Sequence, residues 1–399
     1  MEERLMRSAV AISHDVDDAV QAARDLAGSI QKQLVLQEHS LGLIFCDADT
    51  DGAVLTGELR ALLGMEIAGM TTLAAVSPQG RHEASIVLNV LTADDCVFSP
   101  GASTPLRAGD FEDRVALAYQ ATIPAGEDKA PALVFAFCPF GMSASGDRYT
   151  NALSRVMNNA PIMGGVASDD YDYERARVFL SGKEYRDAMV LVSLWGKLRP
   201  VFAIRHVTSR FAERIRRVTD AQDNIVRRVG EETFIEYLQG FGLKTDVNDP
   251  LLAFTPHPIM LRHPDEDETP VMRRISGLNQ ADGSGIFSGD VPVGAQANLC
   301  LISKTDIVAA CRESMQVLLD EGKAQSGYAY STILCISCCG RSMIMSGDAN
   351  AEGRILAEML PSDLTLSGAY CLGEICPTRY KDGLATNRFH NYSITFCML

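Results

Sequence analysis

A chain of 399 residues with 47% hydrophobic and 22% charged side chains has apolar material for complete cores, which excludes disorder as its general state and suggests about two domains. A net charge of −15 repels phosphate backbones and anionic headgroups, so nucleic acid is not an expected partner. The opening MEERLMRS lacks the apolar run of a signal peptide, no stretch approaches the ~18 apolar residues of a membrane span, and the eleven cysteines sit in strand-like runs as reduced core residues; a cytoplasmic protein is expected.

Residues 15–34 place Val16, Ala19, Val20, Ala23, Leu26, Ala27 and Ile30 at helical spacing behind an Asp-rich first turn, which predicts a helix. GLIFCD at 42–47 reads as a buried strand leaving its sheet through the turn-prone DADTDG. Helical period resumes at 53–63, EIAGMTT at 66–72 is a strand carrying Gly69, and ASIVLNVLTA at 84–93 supplies a third strand. The same order of strand, polar loop, helix, strand with glycine, and strand returns at 132–195, through ALVFAFCP, FGMSASGD, RYTNALSRVMN, PIMGGVASDD and DAMVLVSLW. It returns again at 329–398, through AYSTILCISC, GRSMIMSGDA, EGRILAEML, LSGAYCLGEI and NYSITFCM.

Between the second and third copies, residues 218–242 read as a polar turn, a short strand at 224–229 and a helix starting near Glu231. Residues 271–301 alternate apolar and polar around Asp-Gly and Gly-Asp turns, the pattern of hairpins, and 306–322 is an amphipathic helix. The predicted fold class is α/β in the mixed α+β sense, with repeated β-loop-α-β-β units forming two halves of sheet with helices. The predicted divisions are an N-terminal helix at 1–35, a domain at 36–217 with two copies, and a domain at 218–399 with the third copy at 329–398.

Three strands ending in polar loops would open a crevice at strand ends, a common ligand position in such folds. Within it the glycines either let backbone approach a ligand or serve tight turns. The densest chemistry lies in CISCCGR, at 335–341. There Cys338 and Gly340 lead into Arg341, with Gly373, Glu374 and Asn391 further along. A guanidinium at a strand mouth can grip a carboxylate or pair internally with Glu374, and both readings stand. Cys335, Cys338 and Cys339 lack a second pair at zinc spacing, so a metal–thiolate site is not expected. No GxSxG, HExxH, Walker or GxGxxG motif occurs, so no enzyme is expected; the catalytic alternative is a hydrolase with Cys338 as nucleophile and His390 as base.

EIAGMTT, PIMGGVASDD and DAMVLVSLW, then VTDAQDNIVRRV with TFIEYL, then RRISGLNQADGSGIFSGDVPVGAQANL, CISCCGR, GAYCLGEI and FHNYSIT resemble, in that order, the paired N- and C-terminal domains of the FIST family. Two features depart from the family pattern: Gly69-Met70-Thr71-Thr72 lacks a Cys-Ser after the glycine, and 254–270 is rich in His and Pro. The resemblance implies a sensory domain of signal transduction that binds a small ligand. For a chain without an output domain, it implies action on a separate partner, a histidine kinase of a two-component system or a cyclic-dinucleotide enzyme such as a diguanylate cyclase. A homodimer is compatible with it. One branch implies haem and nitric-oxide sensing, with His257, His206 or His390 as the axial ligand; the alternative is a sensor of an amino acid or other small carboxylate without haem.

Overall fold

The repeat is the unit of construction in the computed structural model, which describes residues 5–141, 145–206, 215–263 and 269–399. Each copy makes a sheet from a parallel pair of strands joined through helix, an antiparallel neighbour, and an edge strand beyond. In the first, Arg7–Ser13 pairs with Ile86–Ala93, that strand with His39–Cys46, and the last runs parallel to Glu66–Thr71. The second sheet sets Val97–Ala102, Val190–Trp195, Leu133–Cys138 and Ile162–Val166 in the same order. The third does so with Val201–His206, Ser393–Met398, Thr332–Cys338 and Thr365–Cys371.

Each sheet is completed by a hairpin from a different copy. Val178–Leu180 with Lys183–Tyr185 joins the first sheet, Glu374–Lys381 with Leu384–His390 the second, and Ala75–Ser77 with Gly80–His82 the third. This cyclic exchange makes every copy depend on another for a sheet edge. The inner faces meet in one core, where Phe45, Phe135, Phe137, Ile336 and Leu334 pack together and the Phe45 and Phe137 rings lie 6.1 Å apart, edge to face. Full burial of such side chains contributes about 1.5–3 kcal/mol each.

Helices cover the outer faces: Ala19–Gln33 and Gly52–Leu63 on the first sheet, Phe111–Gln120 and Gly146–Val156 on the second, Lys304–Ala324 and Ala351–Met359 on the third. Burial on both faces is why the central strands read as unbroken apolar runs rather than alternating ones. The helices start where the sequence caps them: Asp18 and Asp51 accept backbone N–H groups, and Ser303 with Asp306 forms a capping box. Gly69, Gly164 and Gly368 recur because a Cβ there would lie 1.8–1.9 Å from the carbonyl oxygen of Ile44, Ala136 or Cys335 on the parallel partner strand. Their repetition is a requirement of sheet packing.

The mixed α+β class and the repeated units are as expected, but the grouping is threefold. The segment 1–35 is not a separate helix, because RSAVAIS at Arg7–Ser13 alternates apolar and polar residues and forms the first sheet's edge. The third copy is interrupted: after Val201–His206, the described residues of 215–303 form a separate eight-stranded antiparallel sheet before the chain returns at Lys304–Ala324. The boundary expected at 217/218 therefore falls inside the strand Arg216–Gln222. Within the inserted sheet the expected hairpin is Ile275–Asn279 with Ser284–Phe287, and the short helix is Phe234–Gln239, capped by Thr233 rather than near Glu231. Among the described residues, no helix is long and apolar enough to cross a membrane.

Candidate functional site

Arg341 lies in the short helix Cys339–Ile344 that follows the third sheet's first parallel strand, and it is fully buried. Its guanidinium is consumed internally. Nε and Nη2 donate to Glu352 Oε1 at 3.2 and 2.6 Å, Nη2 also to the Ile307 carbonyl at 3.1 Å, and Nη1 to the Tyr392 carbonyl at 3.3 Å. The ion-pair partner is thus Glu352, on the helix Ala351–Met359, and not Glu374. Glu374 instead accepts from the Ser393 N–H and hydroxyl at 3.2 and 2.6 Å, and burial lifts its carboxyl to about 8.

The rest of the predicted group is equally closed. Cys338 sits beside Glu374, and burial pushes its thiol well above the usual range, which disfavours the thiolate a nucleophile needs. A Cβ at Gly340 would meet Tyr392 at 2.9 Å and one at Gly373 would meet Phe389 at 2.1 Å, so both glycines make room for rings. Asn391 is buried and accepts from the Arg274 N–H at 3.4 Å.

His206 and His390 pack against each other, with ring centroids 5.1 Å apart. Burial, with Arg273 nearby, lowers both; His206 falls to about 3, so the pair is neutral. His390 Nε2 lies 3.2 Å from the Cys376 carbonyl, while its Nδ1 and both nitrogens of His206 are buried without a partner among the described residues. His257 is half-buried, with Nδ1 unpartnered. An axial haem ligand must present a nitrogen to a cavity large enough for the macrocycle. None of these three histidines is among the residues lining the cavity described next, and one face of His206 is filled by His390.

A cavity of about 850 Å³ opens between the second copy and the inserted sheet. Its floor is Pro139 and Phe140 after the strand Leu133–Cys138, with Gly146 and Tyr149 from the first turns of the helix Gly146–Val156; its roof comes from Arg274, Ser276, Phe287, Ser288 and Asp290. Tyr173, Leu372 and Phe389 close its sides. The two bodies are riveted by Arg273, which donates to Asp147 Oδ1 at 2.7 Å and to the carbonyls of Asp290 and Phe389 at 2.9 and 3.0 Å; Asp147 Oδ2 also accepts the Asp290 N–H at 2.8 Å.

The adjacent Arg274 differs. It is 7% exposed, and among the described residues no carboxylate pairs with it. Nη2 makes contacts of 3.3 Å with Thr255 Oγ1 and Met343 Sδ, and Nε is buried without a partner. The phenols of Tyr173 and Tyr392 lie beside it, the first half-buried and the second buried. Arg148, another cation of the lining, is already held by both oxygens of Glu112, at 2.9 and 3.0 Å. A buried guanidinium costs several kcal/mol unless an anion offsets it. This cavity therefore suits a ligand carrying one negative charge.

Sequence reasoning missed Arg274 although it quoted RRISG. The available signal was two consecutive arginines between apolar runs, Arg273 ending the strand Val271–Arg273 and Arg274 lying between it and Ile275–Asn279.

Residues 40–232 match the FIST N domain and residues 232–377 the FIST C domain. No curated protein matches the chain. Among solved structures, a cyanuric acid hydrolase from A. caulinodans aligns over 99% of both chains at 9% identity and a TM-score of 0.36. A second cyanuric acid hydrolase structure aligns over 65% of this chain and 81% of its own, at 7% identity and a TM-score of 0.30. PurLQS from Thermotoga maritima covers 100% of this chain and 73% of its own, at 11% identity and a TM-score of 0.22.

Proposed function

Since this chain belongs to the FIST family, whose domains are sensory domains of signal transduction, we propose that it senses an amino acid or other small carboxylate bound in the cavity, with the carboxylate on Arg274. The supporting observation is that the buried Arg274, which has no carboxylate partner among the described residues, lines a ligand-sized space. Binding does not entail catalysis in this reading: Cys338 is not among the residues that line this cavity, and burial disfavours its thiolate. The occupant would touch both the second copy and the inserted sheet, so its presence would change how tightly those bodies are held, and a separate signalling protein would read that change. The haem alternative has less support, since its candidate histidines lie away from the cavity.

The test is thermal melting of the full chain with a panel of amino acids and simple carboxylates. A ligand at 100 times its dissociation constant stabilises by about 2.7 kcal/mol, which melting resolves. The wild type should shift with at least one carboxylate and Arg274→Met should not. An equal shift in both proteins would remove Arg274 from the site and the reading with it.

A further inference from the structure

We infer that the occupant of this cavity is an aromatic carboxylate, its ring against Phe140 and Tyr173 and its carboxylate on Arg274. The inference rests on the sensing role proposed above and narrows its ligand class.

Five rings border the cavity: Phe140, Tyr149, Tyr173, Phe287 and Phe389. Phe140 and Tyr173 form a tilted pair with centroids 5.1 Å apart, and both remain half-buried, leaving ring surface open to the cavity. Offset aromatic packing at such separations favours a further ring over a saturated group.

The backbone places Tyr173 at a cost. Tyr171 and Tyr173 have φ of 76° and 63°, the left-handed region that bulky residues avoid. The loop is held there because the Asp169 carboxylate accepts the N–H groups of Tyr171, Tyr173 and Arg175 at 3.0, 3.1 and 3.0 Å. That arrangement sets the Tyr173 ring between Phe140 and Arg274. Phe389 is fixed in the opposite wall by glycines on two sides, since a Cβ at either Gly146 or Gly373 would stand 2.1 Å from its ring.

Charge limits the rest of the ligand. The lining also carries the carboxylates Asp290 and Asp223; of its other cations, Arg148 is committed to Glu112 and Arg155 is exposed on the helix Gly146–Val156. One unpaired buried guanidinium answers one carboxylate; a phosphate or dicarboxylate would meet repulsion from those acids.

Calorimetric titration of the full chain should use benzoate and indole-3-acetate against cyclohexanecarboxylate, which keeps size and charge without the π face, and against benzamide, which keeps the ring without the charge. Benzoate should bind at least tenfold more tightly than cyclohexanecarboxylate, and benzamide should bind weakly. Phe140→Leu, at a half-buried position, should bring that ratio near one while retaining carboxylate binding, and Arg274→Met should lose the acids altogether. Equal binding of the aromatic and saturated acids by the wild type overturns the aromatic inference and leaves the carboxylate reading standing. Failure of every acid to bind overturns both. Aromatic binding unaffected by Phe140→Leu and Arg274→Met would place the ring elsewhere and also overturn the inference.

Discussion

Arg341 and Arg274 are both buried cations, one just after a strand of the third sheet and the other between two strands of the inserted sheet, yet their surroundings are opposite. Arg341 spends its nitrogens on Glu352 and two carbonyls. Arg274 lines an open cavity, touches Thr255, Met343 and two phenols, and has no carboxylate partner among the described residues. A buried charge with all its partners present fixes geometry, whereas one lacking its counter-charge marks where something else is expected to bind. The difference lies in satisfaction, not in residue type or burial.

The largest effect should come from breaking the closed region. Glu352→Gln leaves Arg341 with no counter-charge in a dry core, and removing one partner of such a pair costs about 3–5 kcal/mol. Urea unfolding should show that loss, and the double variant Arg341→Met with Glu352→Met should recover a substantial part of it. A loss under about 1 kcal/mol would mean that the guanidinium finds another anion and that the region is not closed.

The contrast also explains what could be read from sequence. The three copies were visible because strands buried on both faces leave unbroken apolar runs, and because Gly69, Gly164 and Gly368 each face a neighbouring carbonyl that admits no side chain. The edge strand Arg7–Ser13 was hidden behind the stronger helical period that follows it. Hairpin exchange among copies has no sequence signal, since it is a tertiary choice between equivalent edges. For the site, sequence located the dense polar segment around Arg341 but could not see that Glu352, an acid on an ordinary amphipathic helix, neutralises it. Arg274 was passed over because its character depends on what is missing around it, a property only three dimensions supply.

A titration sharpens the comparison next. Glu374 belongs to the closed region, and burial holds its carboxyl near 8 against an ordinary value of 4.5. The folded state therefore binds more protons than the unfolded state between those pH values. Stability from this group is complete below about pH 4.5 and is lost as pH rises through 8. Between pH 5 and pH 9 the wild type should lose on the order of 4 kcal/mol through Glu374, and Glu374→Gln should flatten that slope. Chemical unfolding at several pH values checks it; a slope unchanged by the substitution would show that the carboxyl is ionised and solvated in the fold.

The smallest change in stability should come from the open region, and its smallness is the informative result. Arg274→Met removes a buried charge that has no carboxylate partner and replaces it with an apolar chain of similar length. The lost contacts to Thr255 and Met343 are offset by the desolvation cost no longer incurred, so unfolding free energy should move by about 1 kcal/mol or less in either direction. Glu352→Gln, by contrast, should be severe in the same assay. If Arg274→Met were equally damaging, the guanidinium would be a structural element already satisfied within the fold. If it leaves stability intact and abolishes the melting shift given by carboxylates, the two arginines are separated by function: one holds the third sheet to its helices, and the other waits for a ligand.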